Sequence, residues 1–288
     1  MHTLIIGFGD IGHRVAKLEL ALGHTVTALI RDKSKINAAG EFGVETLLAD
    51  LDKPETLAQQ PLEGSRIYYF APPPSTDTYD SRMANWLGSI GSSKPAVIIY
   101  ISTTGVYGNC HGEWVDEQRP PNPAADRAKR RLNAEMQLSE WGAQHAIPVI
   151  RLRVPGIYHP DKLPMASLKQ GKPILQSSDA PYSNRIHADD LAQICLAAAD
   201  RGKAGEIYNV ADNNSCTMSE YFIKVATAFN MPKPKEISWQ EAEQQLTPGM
   251  LSYLKESRRI DNIKMLTELR VKLQYPTLDD GLSHSNSI

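Results

Sequence analysis

The sequence predicts a doubly wound α/β protein: a parallel sheet with helices on both faces and a smaller C-terminal lobe. Three observations carry that expectation. A Gly-rich turn, Gly7-Phe8-Gly9-Asp10-Ile11-Gly12, stands between an apolar run, Leu4-Ile5-Ile6, and a helical pattern. Strand-like and helical runs then alternate up to about residue 155. The run Ala96 to Ser102 is apolar almost throughout, as a strand covered on both faces requires.

The elements follow in order. G-x-G-x-x-G after a strand and before a helix is the arrangement that receives a dinucleotide pyrophosphate. Gly7 permits the tight turn, Gly9 lets the pyrophosphate approach the backbone, and Gly12 lets the helix pack on the strand. The first helical turn, at Asp10 and Ile11, points N–H groups and partial positive charge at the phosphates. Val15 to Leu22 continues the helix, which Gly23 ends. Thr25 to Ile30 is the second strand, followed by the polar turn Arg31-Asp32-Lys33-Ser34-Lys35. Val44 to Leu48 is the third, and Asp50-Leu51-Asp52 leads into a helix expected to start at Lys53-Pro54-Glu55. Arg66 to Phe70 is the fourth, closed by Ala71-Pro72-Pro73-Pro74, with Trp86 in the helix that follows. After Ala96 to Ser102 come a long helix, Ala124 to Trp141, and a strand, Val149 to Arg153.

Beyond residue 155 the pattern loosens, with Pro155, Pro160, Pro164, Pro173 and Pro181 marking loops. Glu206 to Val210 is sheet-like and is expected to return to the main sheet. Ser219 to Phe229 is helical, Ile237 to Leu254 is helical with a break near Pro248, and Met265 to Leu269 is a short helix. The expected organisation is a dinucleotide-binding Rossmann domain over 1–155 and a substrate-binding lobe over 156–288 with no core of its own.

Composition excludes other classes. The 288 residues are 41% hydrophobic and 22% charged with a net charge of −2, so a nucleic-acid or membrane surface is not expected. The cluster Arg127, Lys129, Arg130 and Arg131 has the look of a solvated helix face. No apolar stretch approaches a membrane span, and the N-terminus lacks the pattern of a signal peptide. Cys110, Cys195 and Cys216 form no ligand or redox pair, and such a sparse, odd set suits reduced thiols in a cytoplasm. Cys195, inside the apolar run Leu191 to Ala199, is expected in the core. The eight histidines show no ligand spacing, so no metal is expected and the partner is a small-molecule substrate.

The end of the second strand selects the dinucleotide. Arg31 stands there, with Lys33 and Lys35 close behind; a guanidinium suits a 2′-phosphate that a carboxylate would repel. The expected cofactor is NADP, with NAD as the alternative; Asp32 is one residue late for the ribose role. Asp50, ending the third strand, suits the adenine amino group. Ala71 and Pro72, at the carboxyl end of the fourth strand, complete the expected cofactor wall.

The segment Ile101-Ser102-Thr103-Thr104-Gly105-Val106-Tyr107-Gly108 resembles the extended short-chain dehydrogenase/reductase superfamily, which includes NAD(P)-dependent sugar epimerases and dehydratases. Trp114-Val115-Asp116-Glu117, Leu152-Arg153-Val154-Pro155-Gly156-Ile157-Tyr158, Arg185-Ile186-His187-Ala188-Asp189-Asp190-Leu191 and Gly205-Glu206-Ile207-Tyr208-Asn209-Val210 resemble its later motifs, in family order. The resemblance implies a Ser or Thr at Thr103 bonded to the substrate oxygen, and Pro155 beside the nicotinamide. It also implies a proton-transferring Tyr followed four residues later by a Lys. That pair is missing. Anchoring the family helix on Glu135 puts Arg127 in the Tyr position and Arg131 in the Lys position; shifting by two puts Ala125 and Lys129 there. This departure resembles an atypical branch that keeps the nucleotide fold. Arg131 retains a positive charge for the ribose and Arg127 suits an anionic substrate, but neither is a proton donor near neutral pH. Tyr107, with Tyr158 and His187, is a candidate acid; the alternative for each is a packed or loop residue, with Tyr107 structural in the strand-to-loop turn and His187 orienting the turn before Asp189. The resemblance therefore implies an epimerase/dehydratase-like oxidoreductase acting on a small polar carbonyl or hydroxyl compound, by family habit a sugar or nucleotide sugar. The alternative is a catalytically silent NADP-binding redox sensor or regulator. It also implies a homodimer formed through the Ala124 to Trp141 helix.

Overall fold

The computed structural model describes residues 1–40 and 42–285, with side chains for all of these except 35, 37, 38, 284 and 285. Seven strands form the central sheet: β1 His2–Ile6, β2 Thr25–Ile30, β3 Glu45–Leu48, β4 Arg66–Tyr69, β5 Val97–Thr103, β6 Val149–Val154 and β7 Ile207–Asn209. Their order is β7-β6-β5-β4-β1-β2-β3, and every pairing is parallel. Ile6 of β1 lies opposite Leu29 on one side and Tyr69 on the other. The longer helices in chain order are α1 Asp10–Ala21, α2 Ser81–Ser89, α3 Asp126–His145, α4 Ala188–Arg201 and α5 Met218–Ala228.

Successive side chains of a strand face opposite ways, so the continuous apolar runs feed two layers. Ile5, Tyr68, Ile99 and Ile150 pack on one face against Val15 of α1 and Leu191, Ile194 and Cys195 of α4. Leu4, Ile6, Tyr69, Ile98 and Tyr100 pack on the other against Trp86 of α2 and Ala134 and Leu138 of α3. Two ion pairs are built into these layers. Glu19 of α1 is buried, accepts the Tyr68 hydroxyl at 2.5 Å, and faces Arg66 at 3.7 Å. Glu135 of α3 takes a two-pronged grip from Arg153 of β6 at 2.8 and 3.1 Å, both side chains almost wholly buried.

The chain returns to the sheet after residue 155: α4 covers one face and β7 pairs beside β6. The remainder forms a lobe of short paired strands. Gly156–Tyr158 runs parallel to Arg185–His187, and Tyr182–Ser183 runs antiparallel to Cys216–Thr217. The helix α5 starts from a capping box in which Thr217 and Glu220 satisfy each other's backbone N–H.

Two expectations are corrected. The lobe does have apolar clusters of its own: Tyr158, Leu163, Leu168, Tyr221, Val225, Leu278 and Leu282 form one, and Leu175, Ile237, Ala242 and Leu254 another. Each draws on segments far apart in the chain, which hides it from a local pattern. The helix expected from Lys53 is only a 3₁₀ turn, Pro54–Thr56. The Thr56 hydroxyl donates to the Lys53 carbonyl at 2.7 Å and accepts the Asp50 N–H at 2.9 Å, folding the segment back onto the end of β3 in place of helix. No helix among the described residues is long and apolar enough to cross a membrane.

Candidate functional site

The chain leaves β3 at one edge of the sheet and resumes at β4 beside β1, which makes the carboxyl ends of β1 and β4 the switch point. Gly7 ends β1 there with φ +95°. A Cβ on Gly7 would lie 2.4 Å from the Ala71 nitrogen, so only glycine lets the two strand ends meet. A Cβ on Gly12 would lie 2.9 Å from the Gly7 carbonyl oxygen, whereas one on Gly9 would meet no protein atom within 4 Å. The backbone at Gly9 is thus open to close approach from the cleft.

A cleft of about 510 Å³ runs from these glycines across the sheet edge. Of the residues expected at the cofactor, Asp10 and Ile11 of the first helical turn, Arg31, Asp50, Ala71 and Pro72 line it. The side chain of Lys35 lies outside the described residues. Arg31 is exposed at the rim, and its guanidinium comes within 3.9 Å of Asp52. Asp52 is gripped in turn by Arg82 at 2.7 and 2.8 Å, and that hydrogen bonding holds its carboxyl below the usual range. Asp32 caps the turn after β2, accepting Ser34 N–H at 3.0 Å and Ser34 O–H at 2.8 Å.

A second cleft of about 610 Å³ opens between the sheet and the lobe, sharing Ile101, Arg131 and Ile157 with the first. Thr103 ends β5 in its wall. Its Oγ1 accepts the Gly105 N–H at 3.1 Å, which leaves the hydroxyl proton available to a ligand. Arg127 and Arg131 both line this cleft, whereas Lys129 pairs with Asp126 at 3.0 Å on an exposed face. The register anchored on Glu135 is therefore the one whose side chains face the cleft. These two arginines do not belong to the solvated helix face suggested by the basic cluster. Arg131 donates to the Ile101 carbonyl at 3.1 Å, and Arg127 donates to Ser252 Oγ at 2.7 Å.

Three further placements bear on the expected side chains. Tyr107 is buried away from both clefts. Its hydroxyl donates to Asn209 at 2.8 Å, the Arg153 guanidinium lies over its ring, and burial pushes its phenol up to about 12. Of its two expected roles, the structural one in the strand-to-loop turn fits, and the candidate acid is withdrawn. Pro155 lines the second cleft, and Ile157 two residues on reaches the first. The histidines are not all isolated: His159, His187 and Asp189 bring potential ligand atoms within 4.8 Å of one another. Each has another partner: His187 Nδ1 caps the helix by accepting the Asp189 N–H at 3.2 Å, Asp189 pairs with Arg14, and His159 Nδ1 lies 3.3 Å from Asp161.

The sequence reading did not find Arg82, Lys162, Arg185, Tyr253 and Arg258, which line the clefts from scattered elements. Arg185 packs over the Tyr221 ring at 4.2 Å and against Gly156, and Arg258 pairs with Glu256 at 2.9 Å. Only Arg185 fell inside a recognised motif.

A model of the NAD dependent epimerase/dehydratase family matches residues 3–211. Human dTDP-D-glucose 4,6-dehydratase is 29% identical over 123 residues, 40% of this chain and 35% of that protein. The chain thus matches about a third of the length of its curated relatives. Among solved structures, a functionally unknown conserved protein from Silicibacter pomeroyi superposes with a TM-score of 0.87 at 27% identity, covering 99% of this chain and 98% of that one. A dTDP-glucose 4,6-dehydratase from Bacillus anthracis in complex with NAD gives a TM-score of 0.79 at 20% identity, over 100% and 96% of the two chains, a likeness of fold.

Proposed function

Because the chain belongs to the NAD dependent epimerase/dehydratase family, we propose that it is a nicotinamide-dependent enzyme acting at a hydroxyl or carbonyl carbon of a sugar nucleotide. The observation that carries this reading is the charge of the second cleft. Arg127, Arg131, Arg185 and Arg258 line it against one carboxylate, Glu256. Guanidiniums so gathered match a diphosphate, and the sugar-nucleotide dehydratase relatives support that substrate class.

The residues of the first cleft fit a dinucleotide: the open space over Gly9 suits the pyrophosphate and Asp50 the adenine amino group. A bound nicotinamide supplies the hydride donor or acceptor. Thr103 gives its O–H to the substrate oxygen. Arg131, in the wall of both clefts, holds the ribose hydroxyls and a positive charge. Arg127 orients the anionic substrate and cannot release a proton near neutrality. In this reading Tyr253, packed on Arg127 and lining the cleft, is the replacement acid. Arg31 at the rim of the first cleft favours NADP over NAD. The unpaired cysteines suit a cytoplasmic setting. The exposed Met136 of α3 suits a homodimer through that helix.

The test is incubation with NAD or NADP and a panel of UDP- and dTDP-sugars, followed by proton NMR of the sugar. Conversion that Thr103→Ala abolishes supports the reading. Tight cofactor binding with no conversion across the panel favours a silent NADP-binding regulator. The observation behind that second reading is that α3 presents arginines to the cleft and no phenol.

A further inference from the structure

At the phosphate end of the first cleft, two cations converge on one acid. Asp10 opens α1 and lines the cleft. A carboxylate there stabilises the helix dipole, but it claims the same positive field that a pyrophosphate needs and repels the pyrophosphate itself. Arg14, one turn along α1, reaches Asp10 at 3.0 Å while also pairing with Asp189. Lys162 arrives from the lobe, 152 residues away in sequence, and its ammonium donates to Asp10 Oδ2 at 2.6 Å. Burial pushes the Asp10 carboxyl up, but the Lys162 hydrogen bond and the Arg14 charge outweigh it and hold the group below its usual range. Of the two cations, Lys162 lines the cleft and Arg14 does not.

We propose that Lys162 is a cofactor-binding residue: it offsets Asp10 and presents a positive charge to the dinucleotide pyrophosphate, fastening the lobe across the mouth of the cleft. The inference rests on the nicotinamide cofactor reading above. It differs from a purely structural ion pair in the sign of one substitution. If the pair only held the loop in place, losing either partner would weaken binding. If Lys162 serves the pyrophosphate, losing Asp10 removes a repulsion.

The experiment is titration of the full chain with NADH and with NADPH, followed by nicotinamide fluorescence, with thermal melting alongside. Lys162→Gln is expected to weaken binding about three- to tenfold, the range for a half-exposed charge, and to flatten its salt dependence. Lys162→Arg keeps the affinity. Asp10→Asn binds as well as wild type or better, and the double variant recovers most of the loss. Unchanged affinity in Lys162→Gln, or a loss in Asp10→Asn equal to that in Lys162→Gln, overturns the proposal. A wild-type chain that binds neither cofactor overturns the cofactor reading and this inference with it.

Discussion

Arg127 lies over the ring of Tyr253, its guanidinium carbon 3.8 Å from the ring centroid. The contact joins α3 to the lobe helix Pro248–Leu254 across the second cleft, and Arg127 also donates to the neighbouring Ser252. The phenol that α3 lacks is thereby brought to the same wall from another element.

If Tyr253 transfers the proton, Tyr253→Phe keeps the ring over Arg127 and lowers kcat by about a hundred- to ten-thousandfold. The measurement is turnover of whichever sugar nucleotide is converted, with cofactor affinity as the control. A Tyr253→Phe enzyme with wild-type kcat removes Tyr253 from the mechanism.

The fingerprint glycines separate folding from binding. Gly9→Ala meets no protein atom within 4 Å, so Tm is expected to hold while NADH binding is lost. Gly7→Ala forces a Cβ to 2.4 Å from Ala71 at a φ of +95°, so both fall. Melting curves and NADH titrations of the two variants side by side check the contrast.

Cofactor choice is set in this reading by a balance between Arg31 and Asp52, 3.9 Å apart. Arg31→Ala is expected to weaken NADPH and spare NADH, while Asp52→Asn shifts preference toward NADPH. Equal affinities for the two cofactors that Arg31→Ala leaves unchanged defeat the NADP assignment.

Asp212 gives a pH signature. Burial pushes its carboxyl from 3.8 up to about 7, and Oδ2 has no hydrogen-bond partner among the described residues. Between those values the unfolded chain has released a proton that the folded chain still holds, so this group's contribution to stability falls as pH rises through that window. Asp212→Asn removes the dependence, and its Tm relative to wild type is expected to be higher at about pH 8 than at about pH 5. A constant difference across that range counts against it.

The Glu135–Arg153 pair is buried in the layer between α3 and β6. Glu135→Ala strands the guanidinium and is expected to cost about 3–5 kcal/mol in urea unfolding. Replacing both partners with apolar residues costs less than the single change.

The sheet was legible because its signals are local. Gly7, Gly9 and Gly12 and the strands around them act through neighbours in the chain, and a period or a turn reveals them. The second cleft was legible only in part. Thr103 sits in a contiguous motif, but Tyr253 meets Arg127 from the far end of the chain and Arg258 donates to the Gly108 carbonyl across 150 residues, and no spacing announces either. The role of Tyr107 stayed open in the sequence for the same reason: the partner that takes its hydroxyl, Asn209, lies 102 residues downstream. Two registers were open, Arg127 with Arg131 and Ala125 with Lys129, and the choice between them needed the face of α3 to be seen.

Arg131 belongs to the walls of both clefts. If the proposed cofactor and substrate fill the two clefts and Arg131 touches both, any coupling it carries is reciprocal, changing both affinities by the same factor. A substitution selected for a new substrate at residue 131 will be read out in cofactor binding as well, which makes it a poor starting point for re-engineering specificity and a sensitive reporter of cooperation between the two ligands.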